Sequence, residues 1–247
     1  MTTNKIAVAR VQDHEAHKNL HIDLRSPGWL AKWPMIGIVM FLFGSLLFGG
    51  LTYNLVAQGP LLNWDNALAN TLPAIGLQSP SFVKGIMDAG FYTGQGVLIV
   101  IGILVCFYFI RKRYWQELAM VTIGLAGSQI LFFFLSHLID RARPPTQIWI
   151  ILNIPGFPSG HAVTVIVFFG LLAYLLAPNM PSAFWKVIVV TAAALIIVFV
   201  GFTRVFTAGH YLTDILSGYA VGIAWSGMAY TWIELYFQRR NMDKRNI

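Results

Sequence analysis

Six apolar stretches are long enough, or nearly long enough, to cross a lipid bilayer, which takes about 20 mainly apolar residues per helix. Backbone inside lipid must satisfy its own hydrogen bonds, so such stretches fold as helices. The sequence therefore predicts an all-α, polytopic membrane protein with a bundle of six transmembrane helices. The stretches run from Met35 to Ala57, about Phe91 to Ile110, about Glu117 to Ile139, His161 to Ala177, Val187 to Thr203, and about Tyr211 to Phe237.

The segment between the first two stretches is interrupted by polar residues and prolines, so it is too broken to span a bilayer. Its apolar residues Leu61, Trp64, Leu68 and Leu72 recur on one face of a helix. This pattern predicts an interfacial helix between spans 1 and 2, lying along the membrane surface.

Three regions follow from the same reading. Residues 1–34 are polar and mixed in charge, too long and too acidic for the start of a signal peptide, so we expect a cytoplasmic tail. Residues 35–237 form the predicted six-span domain, and residues 238–247 form a basic cytoplasmic tail.

The balance of charge indicates membrane topology rather than nucleic-acid binding. The net charge is +7, but only 11% of residues are charged, and the cations cluster beside apolar stretches. The single cysteine, Cys106, lies inside an apolar stretch, which excludes a disulfide framework or a cysteine metal cluster. With both termini inside, most cations fall on the cytoplasmic side, as expected for membrane proteins. Four fall on the outer side: Lys84, Arg141, Arg143 and Arg204.

A short polar break, Pro158-Ser159-Gly160-His161, precedes the fourth stretch. Pro158 disfavours helix before it, and Ser159 is a good N-cap. If a helix begins here, its first N–H groups have no partner within the helix and form an anion site at the positive end of the helix dipole. His161 would stand on the first turn, beside any bound anion.

Other ionisable residues are predicted at the same membrane depth. Arg141 and Arg143 precede this break, and Arg204 ends the fifth stretch. Arginines carry forked donors that suit tetrahedral oxyanions. His210 and Asp214 have the i,i+4 spacing that places them on one helical face, so the carboxylate can orient the imidazole. Each residue alone has an ordinary explanation at a membrane interface, but their convergence favours a functional site.

These residues resemble the signatures of the type 2 phosphatidic acid phosphatase superfamily, membrane lipid-phosphate phosphatases with a haloperoxidase-like fold. Arg143-Pro144 matches the end of the first signature, in which a lysine precedes the arginine by seven residues. Pro158-Ser159-Gly160-His161 matches the second completely. The third is matched by Thr203-Arg204, His210 and Asp214, with threonine in place of serine. The lysine position of the first signature is occupied by Ser136.

The resemblance implies hydrolysis of a lipid phosphate monoester or diphosphate, such as phosphatidate, phosphatidylglycerol phosphate or polyprenyl diphosphate. It implies that His210 is the nucleophile that becomes a phosphohistidine, oriented by Asp214, and that His161 is the general acid and base. It also implies that no metal and no other cofactor is needed, and that five residues bind the phosphate: Arg143, Arg204, Ser159, Gly160 and Arg141. Two alternatives stay open, namely a lipid phosphotransferase with the same site and a non-catalytic lipid-phosphate binder or transporter, which Ser136 makes possible.

The expected partners are a lipid phosphate and the membrane, without nucleic acid. The expected location is a bacterial inner (plasma) membrane, with the active site at the outer face.

Overall fold

The fold is helical throughout the part that the structure, a computed structural model, describes: residues 34–92, 95–145 and 154–243. Residues 1–33 of the predicted N-terminal tail and the last four residues lie outside these ranges. No strand occurs within them. The helices are α1 (Pro34–Val56), α2 (Leu61–Gln78), α3 (Ser81–Tyr92), α4 (Gln95–Lys112), α5 (Trp115–Thr122), α6 (Ser128–Ile139), α7 (Gly160–Leu176), α8 (Ala183–Phe206) and α9 (Leu212–Asp243).

Within the described residues, four helical segments are long and apolar enough to cross a membrane: Pro34–Val56, Trp115–Ile139, Gly160–Asn179 and Ala183–Phe206. The second consists of α5 and α6, joined without interruption by a π-helical turn, Ile123–Gly127. The third extends α7 by a short 3-10 turn, Ala177–Asn179. Predicted spans 1, 3, 4 and 5 therefore correspond to these segments. Helices α4 and α9 do not meet the same criterion of length and apolar composition, so the count of six spans stays a prediction.

Two predicted boundaries differ from the structure. The second apolar stretch was predicted to begin at about Phe91, but that residue lies in the last turn of α3, and α4 begins at Gln95. At the other end of the chain, α9 continues to Asp243, so the first residues of the predicted basic tail extend the last helix. Charged residues did not end this helix because long side chains such as arginine can carry their charged ends into polar surroundings while the stem stays against the helix.

The helix predicted to lie at the interface is α2, and its packed face differs in part from the prediction. Leu68 and Leu72 pack against a buried cluster of Ala162, Val205 and Ile215, whereas Trp64 is 65% exposed. Asp65 on the same helix is fully buried. The α2 helix therefore contacts the bundle through a face that includes a carboxylate, and its position at the membrane surface stays a prediction.

Small residues allow α1 to lie directly against α9. The buried residues of α1 are Gly37, Gly44 and Leu51, spaced seven apart on one stripe. A Cβ atom at Gly44 would lie only 2.5 Å from the carbonyl oxygen of Ala220 on α9. This spacing of small residues is the means by which membrane helices approach closely without a hydrophobic driving force.

The polypeptide places the ends of four helices at one end of the bundle. Helices α6 and α8 end there, and α7 and α9 begin there. A Cβ atom at Gly218 of α9 would lie 2.6 Å from the carbonyl oxygen of Ser159, just before α7, so the two helix starts are in contact. The cations of α4 and of the start of α8, namely Arg111, Lys112 and Lys186, belong to the opposite end.

Candidate active site

The segment before α7 is fixed by a hydrogen bond to the start of α9. Ser159 has an extended backbone and caps α7, with its hydroxyl accepting from the N–H of Ala162 at 3.5 Å. The N–H of Ser159 donates to the carbonyl oxygen of Asp214 at 2.9 Å. This bond occupies the Ser159 N–H that we expected to bind phosphate. The N–H groups of Gly160 and His161 remain without an i−4 carbonyl partner within α7.

Gly160 is explained by packing as well as by the helix start. A Cβ atom at this position would lie 2.8 Å from the ring of Phe132 on α6. The absence of a side chain therefore lets the aromatic ring cover the beginning of α7. Any larger residue would require the ring of Phe132 to move away from the start of α7.

His210 lies in the turn before α9 rather than on the helix, which begins at Leu212. Its Nδ1 lies 2.9 Å from the carbonyl oxygen of Gly156 and 3.4 Å from Oδ2 of Asp214. Both neighbours of Nδ1 are acceptors, so this nitrogen carries the proton. The unprotonated Nε2 then faces Nη1 of Arg143 at 3.0 Å. The predicted approach of His210 and Asp214 is present, although it does not depend on a shared helical face.

The surroundings of His210 favour the neutral imidazole. Burial lowers the pKa of His210 well below its usual value of 6.5, and the positive charges of Arg143 and Arg204 lower it further. The hydrogen bond to Gly156 acts in the opposite direction. At neutral pH the side chain is therefore unprotonated at Nε2, which is the form that can act as a nucleophile.

Asp214 lies in the first turn of α9 and is completely buried. Its Oδ2 accepts from the backbone N–H of Tyr211 at 2.9 Å. This is the contact by which an acidic residue in the first turn of a helix caps the N–H three residues before it. Its Oδ1 accepts from Arg141 at 2.6 Å. The carboxylate is therefore fixed in orientation from both sides, with Oδ2 toward His210.

His161 faces His210 across a short gap. The centroids of the two imidazole rings are 6.3 Å apart, with an angle of 66° between their planes. The positive charges of Arg143 and Arg204 act on both rings. The predicted convergence of two imidazoles and two guanidiniums around one site is therefore present, although the residues come from separate parts of the sequence.

Arg143 connects the loop before α7 to the turn that carries His210. Its Nε donates to the carbonyl of Ile154 at 3.0 Å, and its Nη1 donates to the carbonyl of Gly209 at 3.3 Å. Burial lowers the pKa of Arg143, and the nearby carboxylate of Asp214 opposes this effect. An arginine stays protonated under such conditions and supplies a fixed positive charge beside Nε2 of His210.

Arg204 lies in the last turn of α8 and is only 1% exposed. Its backbone carbonyl accepts from the N–H groups of Gly209 and His210 at 2.9 and 3.2 Å. The backbone of Arg204 therefore holds the turn between α8 and α9, and its guanidinium places a positive charge near the two histidines.

Arg141 is bound to acidic and hydroxyl groups within the protein. Its Nη1 donates to Oγ1 of Thr213 at 2.7 Å and to Oδ1 of Asp214, and its Nη2 donates to Oδ2 of Asp65 at 2.8 Å. Its guanidinium carbon also lies 4.2 Å above the ring centre of Tyr211. We expected Arg141 to bind phosphate; in the structure its hydrogen bonds to Thr213, Asp214 and Asp65 are all within the protein.

Asp65 is the residue of this site that sequence reasoning missed. We assigned its segment to the membrane surface and gave the carboxylate no role. The available signal was its position: Asp65 shares a helical face with Leu68 and Leu72, and a carboxylate on the packed face of a helix is costly unless it is paired.

Ser136, at the position of the family's lysine, is fully buried near the end of α6. Its hydroxyl donates to the carbonyl oxygen of Phe133 at 3.0 Å. Phe132, one turn earlier on the same face, covers Gly160, so position 136 faces the region where α7 begins. The departure from the family pattern therefore lies next to the site.

The described residues contain no group of three or more histidine, cysteine, aspartate or glutamate side chains arranged to hold a metal ion. The arrangement that is present pairs a neutral, oriented imidazole with a second imidazole and two buried guanidiniums. Such a set of groups can bind a tetrahedral oxyanion, attack it at the central atom and exchange protons with it.

Comparison with known proteins places this site in a family. Residues 117–237 match the family model of the PAP2 superfamily, and this region includes both imidazoles, Asp214, Arg143 and Arg204. The resemblance read from the sequence signatures is thereby confirmed: this region of the chain is a PAP2 superfamily domain.

Two similar proteins, each matched over a longer part of the chain, agree with this result. The chain is 29% identical over 192 residues to phosphatidylglycerophosphatase B of Bacillus subtilis (strain 168), covering 75% of this chain and 89% of the relative. A crystal structure of a transmembrane PAP2-type phosphatidylglycerolphosphate phosphatase from Bacillus subtilis has the same fold, with a TM-score of 0.59. That comparison has 24% identity and covers 85% of this chain and 96% of the other. The chain is an integral membrane protein, and its residues 117–237 match the PAP2 superfamily.

Proposed function

We propose that this protein hydrolyses a phosphate monoester or diphosphate of a lipid through a phosphohistidine intermediate. The observation that carries the proposal is the state of His210. Its Nδ1 is bound to the carbonyl of Gly156, while its Nε2 faces Arg143 and, across 6.3 Å between ring centroids, the imidazole of His161. A nucleophile, a general acid and a positive charge thus surround one small space.

In the first step, Nε2 of His210 attacks phosphorus and the bond from phosphorus to the leaving oxygen breaks. A protonated His161 donates its proton to that oxygen, which leaves as the lipid alcohol or lipid phosphate. The proton on Nδ1 of His210 stays in place, so the imidazole becomes positively charged. The carbonyl of Gly156 and the carboxylate of Asp214 stabilise this charge.

In the second step, water attacks phosphorus and the bond to Nε2 breaks. The neutral His161 takes a proton from that water, and inorganic phosphate leaves. His210 returns to the neutral form and His161 to the protonated form. The two imidazoles therefore need to be close to one phosphate but not in contact with each other, as their separation allows.

The negative charge of the transferring phosphoryl group would be held by Arg143, by Arg204 and by the N–H groups of Gly160 and His161. Two guanidiniums carry as much positive charge as a divalent cation. We therefore propose that turnover does not require a metal, and we expect unchanged phosphate release in the presence of a chelator. Ser159 would contribute by capping α7, and Arg141 by contacts within the protein.

Phosphatidylglycerol phosphate is the first substrate that we propose, because the relatives that this chain resembles carry that activity in their names. Phosphatidate and polyprenyl diphosphate are the other two candidate substrates, since both present a phosphate on a lipid tail. A site at the end of membrane helices lets the tail stay in the bilayer while the phosphate reaches His210.

We propose that the site end faces outward from a bacterial inner membrane and that both termini are cytoplasmic. The distribution of cations supports this orientation, because Arg111, Lys112 and Lys186 lie at the end opposite to His210. In this arrangement residues 1–34 and 238–247 flank a six-span phosphatase domain on the cytoplasmic side.

The test is phosphate release by the purified protein in detergent micelles with each of the three lipids. We expect release from at least one lipid, and its loss in His210→Ala with substrate binding retained. Binding without release in the wild type indicates a lipid-phosphate binder. Release that requires an added sugar or lipid alcohol indicates a phosphotransferase. Undiminished turnover in a folded His210→Ala variant contradicts the assignment of the nucleophile.

A further inference from the structure

We infer that Asp65 is a positioning residue for the His210–Asp214 pair, acting through Arg141 and Thr213. The inference rests on the proposed function, since it concerns how that nucleophile is supported. Asp65 comes from α2, outside the residues that match the family model, and none of the sequence signatures includes it. It is nevertheless fully buried against the first turn of α9.

The contacts of Asp65 are all with donors. Its Oδ1 accepts from the backbone N–H of Thr213 at 3.0 Å, and its Oδ2 accepts from the hydroxyl of Thr213 and from Nη2 of Arg141. In all three contacts the oxygens of Asp65 act as acceptors. Asp65 therefore fixes both the first turn of α9, which carries Asp214, and the guanidinium that binds Asp214.

The count of charges explains why a second carboxylate is needed. Arg141 is ion-paired with Asp214 at 2.6 Å and with Asp65 at 2.8 Å. With Arg141 and Asp214 alone, the two charges would cancel, and the carboxylate would offer little to a positively charged imidazole. With Asp65 present, the cluster carries one surplus negative charge next to His210. That surplus negative charge stabilises the positive charge that His210 gains when it bonds to phosphorus.

The same contacts also determine how the carboxylate of Asp214 is oriented. Because Nη1 of Arg141 holds Oδ1 of Asp214, the other oxygen, Oδ2, is the one turned toward Nδ1 of His210. Asp65 and Thr213 together hold that guanidinium in place. Loss of Asp65 would thus leave Arg141 free to move onto Asp214 and would shift the nucleophile. A shift of about 1 Å can cost about 100-fold in rate.

The experiment compares Asp65→Asn with Asp88→Asn, the same change at an exposed carboxylate on α3. Asparagine keeps the size of the side chain and removes its charge. We expect the kcat of Asp65→Asn to fall about 10- to 100-fold with KM within about twofold, because Asp65 does not touch the substrate. We expect Asp88→Asn to match the wild type.

Two further readouts separate positioning from a general structural role. Removal of the surplus negative charge lowers the pKa of His210, so the acid limb of kcat against pH should move to lower pH in Asp65→Asn. The double variant Asp65→Asn with Arg141→Met should be little worse than Asp65→Asn alone, since both residues act through one contact. A structural defect alone would change the amount of active protein and leave the pH profile in place.

If Asp65→Asn does not fold, Thr213→Val is the second test of the inference. Valine has the shape of threonine but lacks the hydroxyl that bridges Asp65 and Arg141. It should lower kcat several-fold with KM unchanged. An unchanged kcat and pH profile in folded Asp65→Asn overturns the inference, as does an unchanged kcat in Thr213→Val when Asp65→Asn is unfolded. If His210→Ala is inactive in the same assay, the failure belongs to this inference alone; if His210→Ala is active, the proposed function itself has failed.

Discussion

The contact between the starts of α7 and α9 gives a prediction for Gly218→Ala that can be worked out from distances. A Cβ atom at this position would lie 2.6 Å from the carbonyl oxygen of Ser159 and 2.7 Å from the Cβ of Ala162. Ordinary contacts of a Cβ atom begin near 3.4 Å. The two backbones must therefore separate by about 0.8 Å, because a carbonyl oxygen and a helix cannot be displaced as a flexible side chain can.

This separation acts on the proposed catalytic groups directly. Ser159 precedes His161 by two residues, and Gly218 follows Asp214 by one helical turn. A displacement approaching 1 Å between the general acid and the nucleophile costs up to about 100-fold in rate. We expect Gly218→Ala to lower kcat by about 10- to 100-fold, and to lower stability by about 1–3 kcal/mol through overpacking.

The assay is phosphate release from the lipid that the wild type hydrolyses, together with thermal unfolding in the same detergent. Gly170→Ala is the matched control, since a Cβ atom there meets nothing within 4 Å. This change should be neutral or slightly stabilising, because alanine is a better helix former than glycine by about 1 kcal/mol. If Gly218→Ala has the kcat and unfolding temperature of Gly170→Ala, the close approach of the two helices is refuted.

Three other predictions concern separate features. Folding lowers the pKa of His210, so below pH 6.5 the unfolded chain binds a proton that the folded chain does not. The free energy of unfolding should therefore decrease as the pH falls, by up to about 1.4 kcal/mol per pH unit. Thermal unfolding should show this decrease in the wild type but not in His210→Gln. Ser136→Lys restores the family's lysine, and we expect phosphate release to rise, whereas no rise indicates a repurposed site. Gly44→Ala should lower the unfolding temperature, because its Cβ would lie 2.5 Å from the carbonyl oxygen of Ala220. Gly49→Ala is the control and should not lower it, because nothing lies within 4 Å of a Cβ there. Equal unfolding temperatures for the two variants contradict the packing of α1 on α9.

The helices and the motif residues of the candidate site were the predictable part of this molecule. Long apolar stretches leave a chain in lipid little choice but helix, so most of the span positions followed from composition. The motif residues Arg143, His161 and His210 could be named because each lies at a fixed spacing next to a span end. Their meeting at one end of the bundle then followed from the alternating direction of successive spans.

The supporting contacts of the site were not predictable, for two physical reasons. Some are made by backbone atoms, such as the carbonyl of Gly156 that holds His210, and the sequence carries no mark of a backbone acceptor. Others join residues that are remote in sequence, such as Asp65 and Arg141, 76 residues apart. A single charged residue gives no sign of its partner, so Arg141 was assigned to phosphate although its donors are bound to carboxylates.

The central claim is that His210 bonds covalently to phosphorus, and the most direct measurement is to trap that bond. The protein would be mixed with a phosphate-labelled lipid substrate, quenched within milliseconds under alkaline conditions that preserve a phosphorus–nitrogen bond, and digested for mass spectrometry. The account predicts a phosphoryl group on His210, absent in His210→Ala and increased in His161→Ala, where the second step lacks its base. Turnover with no label on the protein, or with the label on another residue, would contradict it.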